Sequence, residues 1–173
     1  MKKVLALVMV LALALSFTAC GSSAKKVKTG IAIVSSLSGT NASADENGLA
    51  QVDSTVAAVT VDEDGKIVSC KIDVAQNKVP VNADGSFDTS LTFKSKQELG
   101  TDYGMTPASD IGKEWYEHMA ALEAWCIGKT VDEVLATPLD DNGKATDADL
   151  VSGCTVHINA QLEALAKAAA NAK

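Results

Sequence analysis

The chain has 173 residues, 21% of them charged and 4% aromatic, and its 22 acidic against 15 basic residues give a formal net charge of −7 and a pI near 4.7. Every basic residue is a lysine; without arginine or a basic face, a nucleic-acid reader that relies on bidentate arginine is excluded, and any bound phosphate must be held by backbone amides, hydroxyls and lysine. This length favours one domain with a sizeable core, and a hydrophobic content of 47%, though inflated by alanine, excludes a disordered chain.

Met1-Lys2-Lys3 forms a positive head, residues 4–17 are an almost unbroken apolar run, and Phe17-Thr18-Ala19-Cys20 ends it with small residues before a cysteine. The run is shorter than the roughly 20 residues of a membrane-spanning helix, so it reads as a secretory signal. Its end resembles the lipobox of bacterial lipoproteins, in which the signal is cut before the cysteine and a diacylglycerol is attached to it; Phe17 departs from the usual leucine. The resemblance implies a signal peptide over 1–19, a lipidated Cys20 and attachment to the extracytoplasmic side of the cell membrane; the alternative is an ordinary signal cut near Ala19. Loss of Lys2 and Lys3 takes the net charge from −7 to −9, so the mature chain would be held by lipid and not by anionic headgroups. Residues 20–48 are taken as the lipidated cysteine, a polar tether through Gly21-Ser22-Ser23 and a first short segment.

Residues 27–35 suit a strand or a segment lying on the domain, and 38–47 read as loop. Residues 51–61 form a strand rich in Val, Thr and Ala, Asp62-Glu63-Asp64-Gly65 a hairpin turn, and 66–74 the return strand with Val68, Cys70, Ile72 and Val74 on one face. Asp84-Gly85 turns the chain into one more strand through Phe87, Leu91 and Phe93. Thr106-Pro107 suits a helix entry, and Ile111, Trp115, Met119, Leu122 and Cys126 recur as a core-facing stripe, with Gly128 at its C-terminal end. Thr130-Val131-Asp132-Glu133 matches a capping box for a short helix ended by Pro138; 139–149 is an acidic surface loop; 159–173 is an amphipathic helix with Leu162, Leu165 and Ala169 in register. Strands first and helices later predict an α+β fold, an antiparallel sheet from the front half packed against helices from the back half.

The acidic turns fail as calcium loops: counting from Gly65 places Lys71 where a bidentate carboxylate is needed, and counting from Gly143 places Pro138 first. His118, Cys126, Cys154 and His157 lack the close pairs of a zinc site, and Cys154 with His157 is an unsupported thiol–base pair. Three cysteines after Cys20 show no disulfide framework, so buried thiols are expected. Trp115 and Trp125 read as packing residues.

The most informative stretch is Asp149-Leu150-Val151-Ser152-Gly153-Cys154-Thr155. It resembles the Asp-x-x-Ser-Gly-Ala-Thr motif of FMN-binding domains, a group that includes subunits of the sodium-pumping quinone reductase and lipoprotein electron carriers; Cys154 stands where the motif has alanine. Upstream, Val59-Thr60-Val61 followed by Gly65-Lys66-Ile67-Val68 is similar to the opening strands of those domains. Residues 94–105, Gly112-Lys113-Glu114-Trp115-Tyr116 and Gly128-Lys129-Thr130 are similar to a divergent lipoprotein branch. The resemblance implies an FMN-binding-like domain over 49–173, with Asp149, Ser152, Gly153 and Thr155 at the cofactor. It also implies a flavin transferase that esterifies the FMN phosphate to the Thr155 hydroxyl, and a membrane redox partner.

Two physical arguments suit the motif: a helix start stabilises a phosphate by roughly 0.3–1 kcal/mol, and a glycine lets a ring or a modifying enzyme approach the backbone. The local alternative draws 151–158 as a strand with Cys154, Val156 and Ile158 inward, Thr155 and His157 outward and Asn159 as a cap. Two functions fit the sequence: a lipid-anchored flavin domain that relays electrons, a carrier more than an enzyme in its own right, and a non-redox surface lipoprotein that binds a ligand or protein partner.

Overall fold

In a computed structural model, residues 26–173 are described; the signal segment, Cys20 and the tether up to Lys25 lie outside them. Strands β1 (Val27–Thr40), β2 (Gly48–Asp62) and β3 (Ile67–Val81) form an antiparallel sheet in the order β1-β2-β3. The helices follow: α1 (Lys96–Leu99), 3-10 turns at Gly100–Tyr103 and Thr106–Ala108, α2 (Trp115–Cys126), α3 (Val131–Leu135), α4 (Ala148–Val151) and α5 (Asn159–Ala170). The chain is α+β, as expected. Among the described residues, no helix is long and apolar enough to cross a membrane.

The Asp62 turn closes the β2–β3 hairpin, its Oδ1 accepting the amides of Asp64 (3.0 Å) and Lys66 (2.9 Å). Gly30, Val59 and Cys70 stand side by side across the strands, as do Ala32, Ala57 and Ile72, and this face is buried. Helix α5 packs over β1 and β2, and α2 over β3. Leu162, Leu165 and Ala168 of α5 and Met119, Leu122 and Cys126 of α2 belong to one core with the sheet. Gly30 lets α5 approach: a Cβ there would lie 2.0 Å from the Ala168 carbonyl oxygen.

Edge strand β3 is covered by the helical layer. The Ile72 amide donates to Glu123 Oε1 (2.9 Å), the Ile72 carbonyl accepts from Gln97 Nε2 (3.2 Å), and Ile67 exchanges hydrogen bonds with Gly128 (2.8 Å) and Lys129 (2.9 Å). These bonds satisfy edge groups that would otherwise recruit another strand. Lys71 Nζ, 2.6 Å from Glu123 Oε2, adds an ion pair there.

Several expectations are corrected. Residues 27–35 are a strand, as one of the two expected readings had it, but β1 runs on to Thr40, beyond the predicted start of a loop at Ser38, and pairs with β2 along its whole length. Val68 is exposed because Thr60 pairs with Ser69 while Val61 pairs with Ile67; the extra residue is a bulge that reverses the alternation, and Ile67 takes the inward place. No strand passes through Phe87, Leu91 and Phe93, which are exposed. Asp84 and Asp88 instead accept the amides of Ser86 (2.9 Å) and Ser90 (2.8 Å), local turns that replace a ladder.

Helix α2 starts at Trp115, and Ile111 lies outside it, partly exposed. Gly112, at φ +66°, breaks the helical path, and Glu114 begins the helix, its amide donating to Glu117 Oε2 (2.8 Å). The capping box at Thr130 and Glu133 is present as predicted, the threonine hydroxyl accepting the Glu133 amide at 3.3 Å. Residues 151–158 form no continuous strand: α4 runs into a turn, His157 bridges to Lys144 alone, and Ile158, not Asn159, is the N-cap of α5.

Candidate functional site

Between the inner face of the sheet and the helical layer lies a cleft of about 790 Å³, within the range of small-molecule sites. Asp53, Thr55 and Gln76 line it from the sheet; Tyr103, Trp115 and Thr155 line it from the opposite side.

Thr155 reaches the cleft through a chain of local devices. Asp147 caps α4, its Oδ1 accepting the amides of Asp149 and Leu150, each at 3.1 Å. The amides of Gly153 and Cys154 then turn back to the Leu150 carbonyl at 3.0 and 2.8 Å. Gly153 is buried against α2, where a Cβ would stand 2.6 Å from Ala121 Cβ. The Thr155 amide donates to Nδ1 of buried His118 at 3.1 Å.

With Nδ1 accepting, the imidazole proton resides on Nε2 and is donated to Ser109 Oγ at 3.0 Å. Burial holds the His118 pKa below its ordinary value, with the nearby Lys113 charge acting in the same direction, so the ring is neutral. Ser109 Oγ also accepts the Lys113 amide (3.1 Å). One buried imidazole thereby ties Thr155 to Ser109, and both line the cleft. Glu114 holds the neighbouring wall: its carboxylate accepts the Thr106 hydroxyl (2.6 Å) and the amides of Met105 (2.8 Å) and Thr106 (3.1 Å), which keep its pKa below the usual carboxylate range.

The Thr155 hydroxyl makes no hydrogen bond among the described residues. Asn159, Ala160 and Gln161, the first turn of α5, line the same cleft. Among the described residues, no side chain caps that turn and no acidic residue lies in it, so its leading N–H groups lack a side-chain acceptor there. Three lysines border the cleft. Lys144 pairs with Asp110 (2.7 Å) and Lys167 with Glu163 (2.6 Å), whereas Lys96 lies over the rings of Tyr103 (4.8 Å) and Trp115 (5.3 Å).

Of the motif residues, the structure brings only Thr155 to the cleft. Asp149 and Ser152 are exposed, with Ser152 Oγ donating to the Asp149 carbonyl at 2.8 Å. The close approach expected at Gly153 is made by Ala121. Thr155 is half-buried, not an outward strand residue.

The zinc candidates serve other ends. His118 is a backbone anchor, His157 is exposed, and Cys126 is a buried free thiol whose pKa is pushed up by the neighbouring Cys70 thiol and by burial. Among the described residues, no group of three or more His, Cys, Asp or Glu is placed to hold a metal. Burial also raises the Cys154 pKa, which suits an inert core thiol and not a nucleophile.

Sequence reasoning missed Ala121, Ser109, Asp53 and Gln161. His118 follows Trp115 by one helical turn on the core stripe, a signal for its burial, but its partner is not visible in periodicity. Asp53 Oδ1 and Gln161 Oε1 are buried without a hydrogen-bond partner among the described residues, and both side chains line the cleft.

Over 120 aligned residues the chain is 35% identical to chlorophenol reductase of Desulfitobacterium hafniense, and the alignment covers 55% of this chain and 37% of that protein. The chain thus spans little more than a third of the length of the curated relative it matches. No family model and no solved structure matches the chain.

Proposed function

We propose that this chain is a membrane-anchored extracytoplasmic lipoprotein that carries FMN, esterified to Thr155, and relays electrons close to the membrane. The observation that carries the reading is Thr155 itself. Its hydroxyl is unengaged among the described residues, its backbone is held by His118, and it lines the cleft beside the uncapped first turn of α5. A phosphate on that hydroxyl would meet the N–H groups of a helix start, where an anion is stabilised by roughly 0.3–1 kcal/mol, and Lys96 supplies a cation on the same cleft. The volume of about 790 Å³ is large enough for a planar ring system, with Tyr103 and Trp115 among the lining residues.

A bound flavin would supply one- and two-electron redox chemistry; the residues around it would hold it, exclude water and tune it. The name of the relative describes a reductase, which agrees with a redox role. Anchoring rests on Cys20 and its resemblance to a lipobox, with a diacylglyceryl group as the membrane attachment, a flavin transferase as the modifying partner and a membrane protein as the redox partner.

The test is intact mass and absorbance of the native mature protein co-expressed with a flavin transferase, beside a known acceptor domain labelled in the same cells. Wild type gains one lipid modification and one FMN, and Thr155→Ala keeps the lipid and the fold but loses the FMN. Equal labelling of Thr155→Ala refutes the acceptor assignment. A colourless wild type of unmodified polypeptide mass, with the control labelled, favours the non-redox lipoprotein.

A further inference from the structure

We infer that Gln161 is a ligand-binding residue of the cleft, its buried amide oxygen accepting a hydroxyl of the polyol chain that joins a flavin ring to a phosphate on Thr155. This role rests on the flavin reading above and adds to it a residue that the Asp149–Thr155 motif does not contain.

Gln161 is 5% exposed, and its Oε1 has no hydrogen-bond partner among the described residues. A buried acceptor without a donor is costly, and cores keep one where a ligand or water completes it. Gln161 lies in the first turn of α5, the turn that shares the cleft with Thr155. A group held there is therefore close in the chain to the phosphate attachment, and in FMN the groups next to the phosphate are ribityl hydroxyls, which can donate.

The sheet contributes a matching feature. Asp53 Oδ2 accepts from Gln51 Nε2 at 2.7 Å, while its Oδ1 is also buried and unpartnered among the described residues. Two unpaired acceptors, from the sheet and from α5, line one cleft. They select a ligand that brings donors, and they disfavour an apolar chain or one that presents only carbonyl or carboxylate oxygens.

The probes are riboflavin and lumiflavin, which share the ring, lumiflavin having a methyl group in place of the ribityl chain. Both lack the phosphate, so affinity is read without esterification. Flavin fluorescence quenching with the mature protein gives each dissociation constant for wild type, Gln161→Met and Gln161→Glu. Wild type prefers riboflavin by about tenfold, the scale of one well-made buried hydrogen bond. Gln161→Met loses that preference with lumiflavin affinity unchanged, and Gln161→Glu, which keeps an acceptor, retains most of it. The urea midpoint of unliganded Gln161→Met is no lower than that of wild type, because the amide oxygen it removes has no partner among the described residues.

An undiminished riboflavin preference in Gln161→Met overturns the role of Gln161 while leaving the flavin reading intact. A fall in both the midpoint and lumiflavin affinity overturns it in favour of a structural role. Binding of neither flavin by wild type, when a control flavoprotein binds both, overturns the flavin reading and this role with it.

Discussion

Gly153→Ala tests the packing that delivers Thr155 to the cleft. The new Cβ would stand 2.6 Å from Ala121 Cβ, whereas carbon atoms settle at about 3.5–4.0 Å, so the α4–α5 loop and α2 must separate by about 1 Å. Overpacking of this kind costs roughly 1–3 kcal/mol. Gly153 has no positive φ, so alanine is allowed by the backbone and recovers roughly 0.4–1 kcal/mol through the unfolded chain. The expected net loss is about 1–2 kcal/mol. Ala121→Gly alone costs about 1 kcal/mol, the usual penalty of glycine inside a helix. The double variant moves the methyl group from one side of the contact to the other, so its loss is smaller than the sum by about 1 kcal/mol or more. Urea unfolding followed by tryptophan fluorescence measures all four proteins. Losses that add to within about 0.5 kcal/mol would refute the contact, since residues that touch should couple.

Three further outcomes follow from the same packing. His118→Leu leaves the Thr155 amide and the Ser109 hydroxyl without their partner, at a cost of about 1–3 kcal/mol by denaturation, with faster hydrogen exchange at the Thr155 amide. The depressed His118 pKa means the unfolded chain binds the proton more readily, so wild-type stability falls as pH drops below the ordinary histidine value near 6.5; this part of the slope is absent in His118→Leu. For Glu114 the folded carboxyl pKa is lowered by Thr106 and Met105, so its stabilisation is present above the ordinary value of 4.5 and is lost as pH falls through the lower folded value. Acid unfolding of Glu114→Gln should accordingly show a shallower limb than wild type. Cys70, Cys126 and Cys154 are buried free thiols, so an aromatic disulfide reagent reacts with none of them promptly in the native protein and with all three in denaturant; rapid native reaction at any one would contradict its burial.

Features held by neighbours in the chain are legible from the order of residues alone. The Asp62–Gly65 turn, the alternation of Cys70, Ile72 and Val74, the Thr130–Glu133 capping box and the stripe of α5 each depend on residues a few positions apart, where side-chain type and backbone period carry the whole signal. Antiparallel strands ahead of helices are readable for the same reason, and Thr155 stands out through the short motif that ends on it. Tertiary structure decides the rest. Whether β1 continues past Ser38 depends on β2 being there to pair with it, and whether Phe87 to Phe93 form a strand depends on a partner that the described residues do not provide. The bulge at Val68 is a matter of register between two strands, invisible in either one alone. The site shows the same division: Gly153 is glycine because of Ala121, and Thr155 is fixed by His118, 37 residues earlier. Such long-range contacts are set by how closely two elements can approach, a property of the packed pair that no local pattern of residues records.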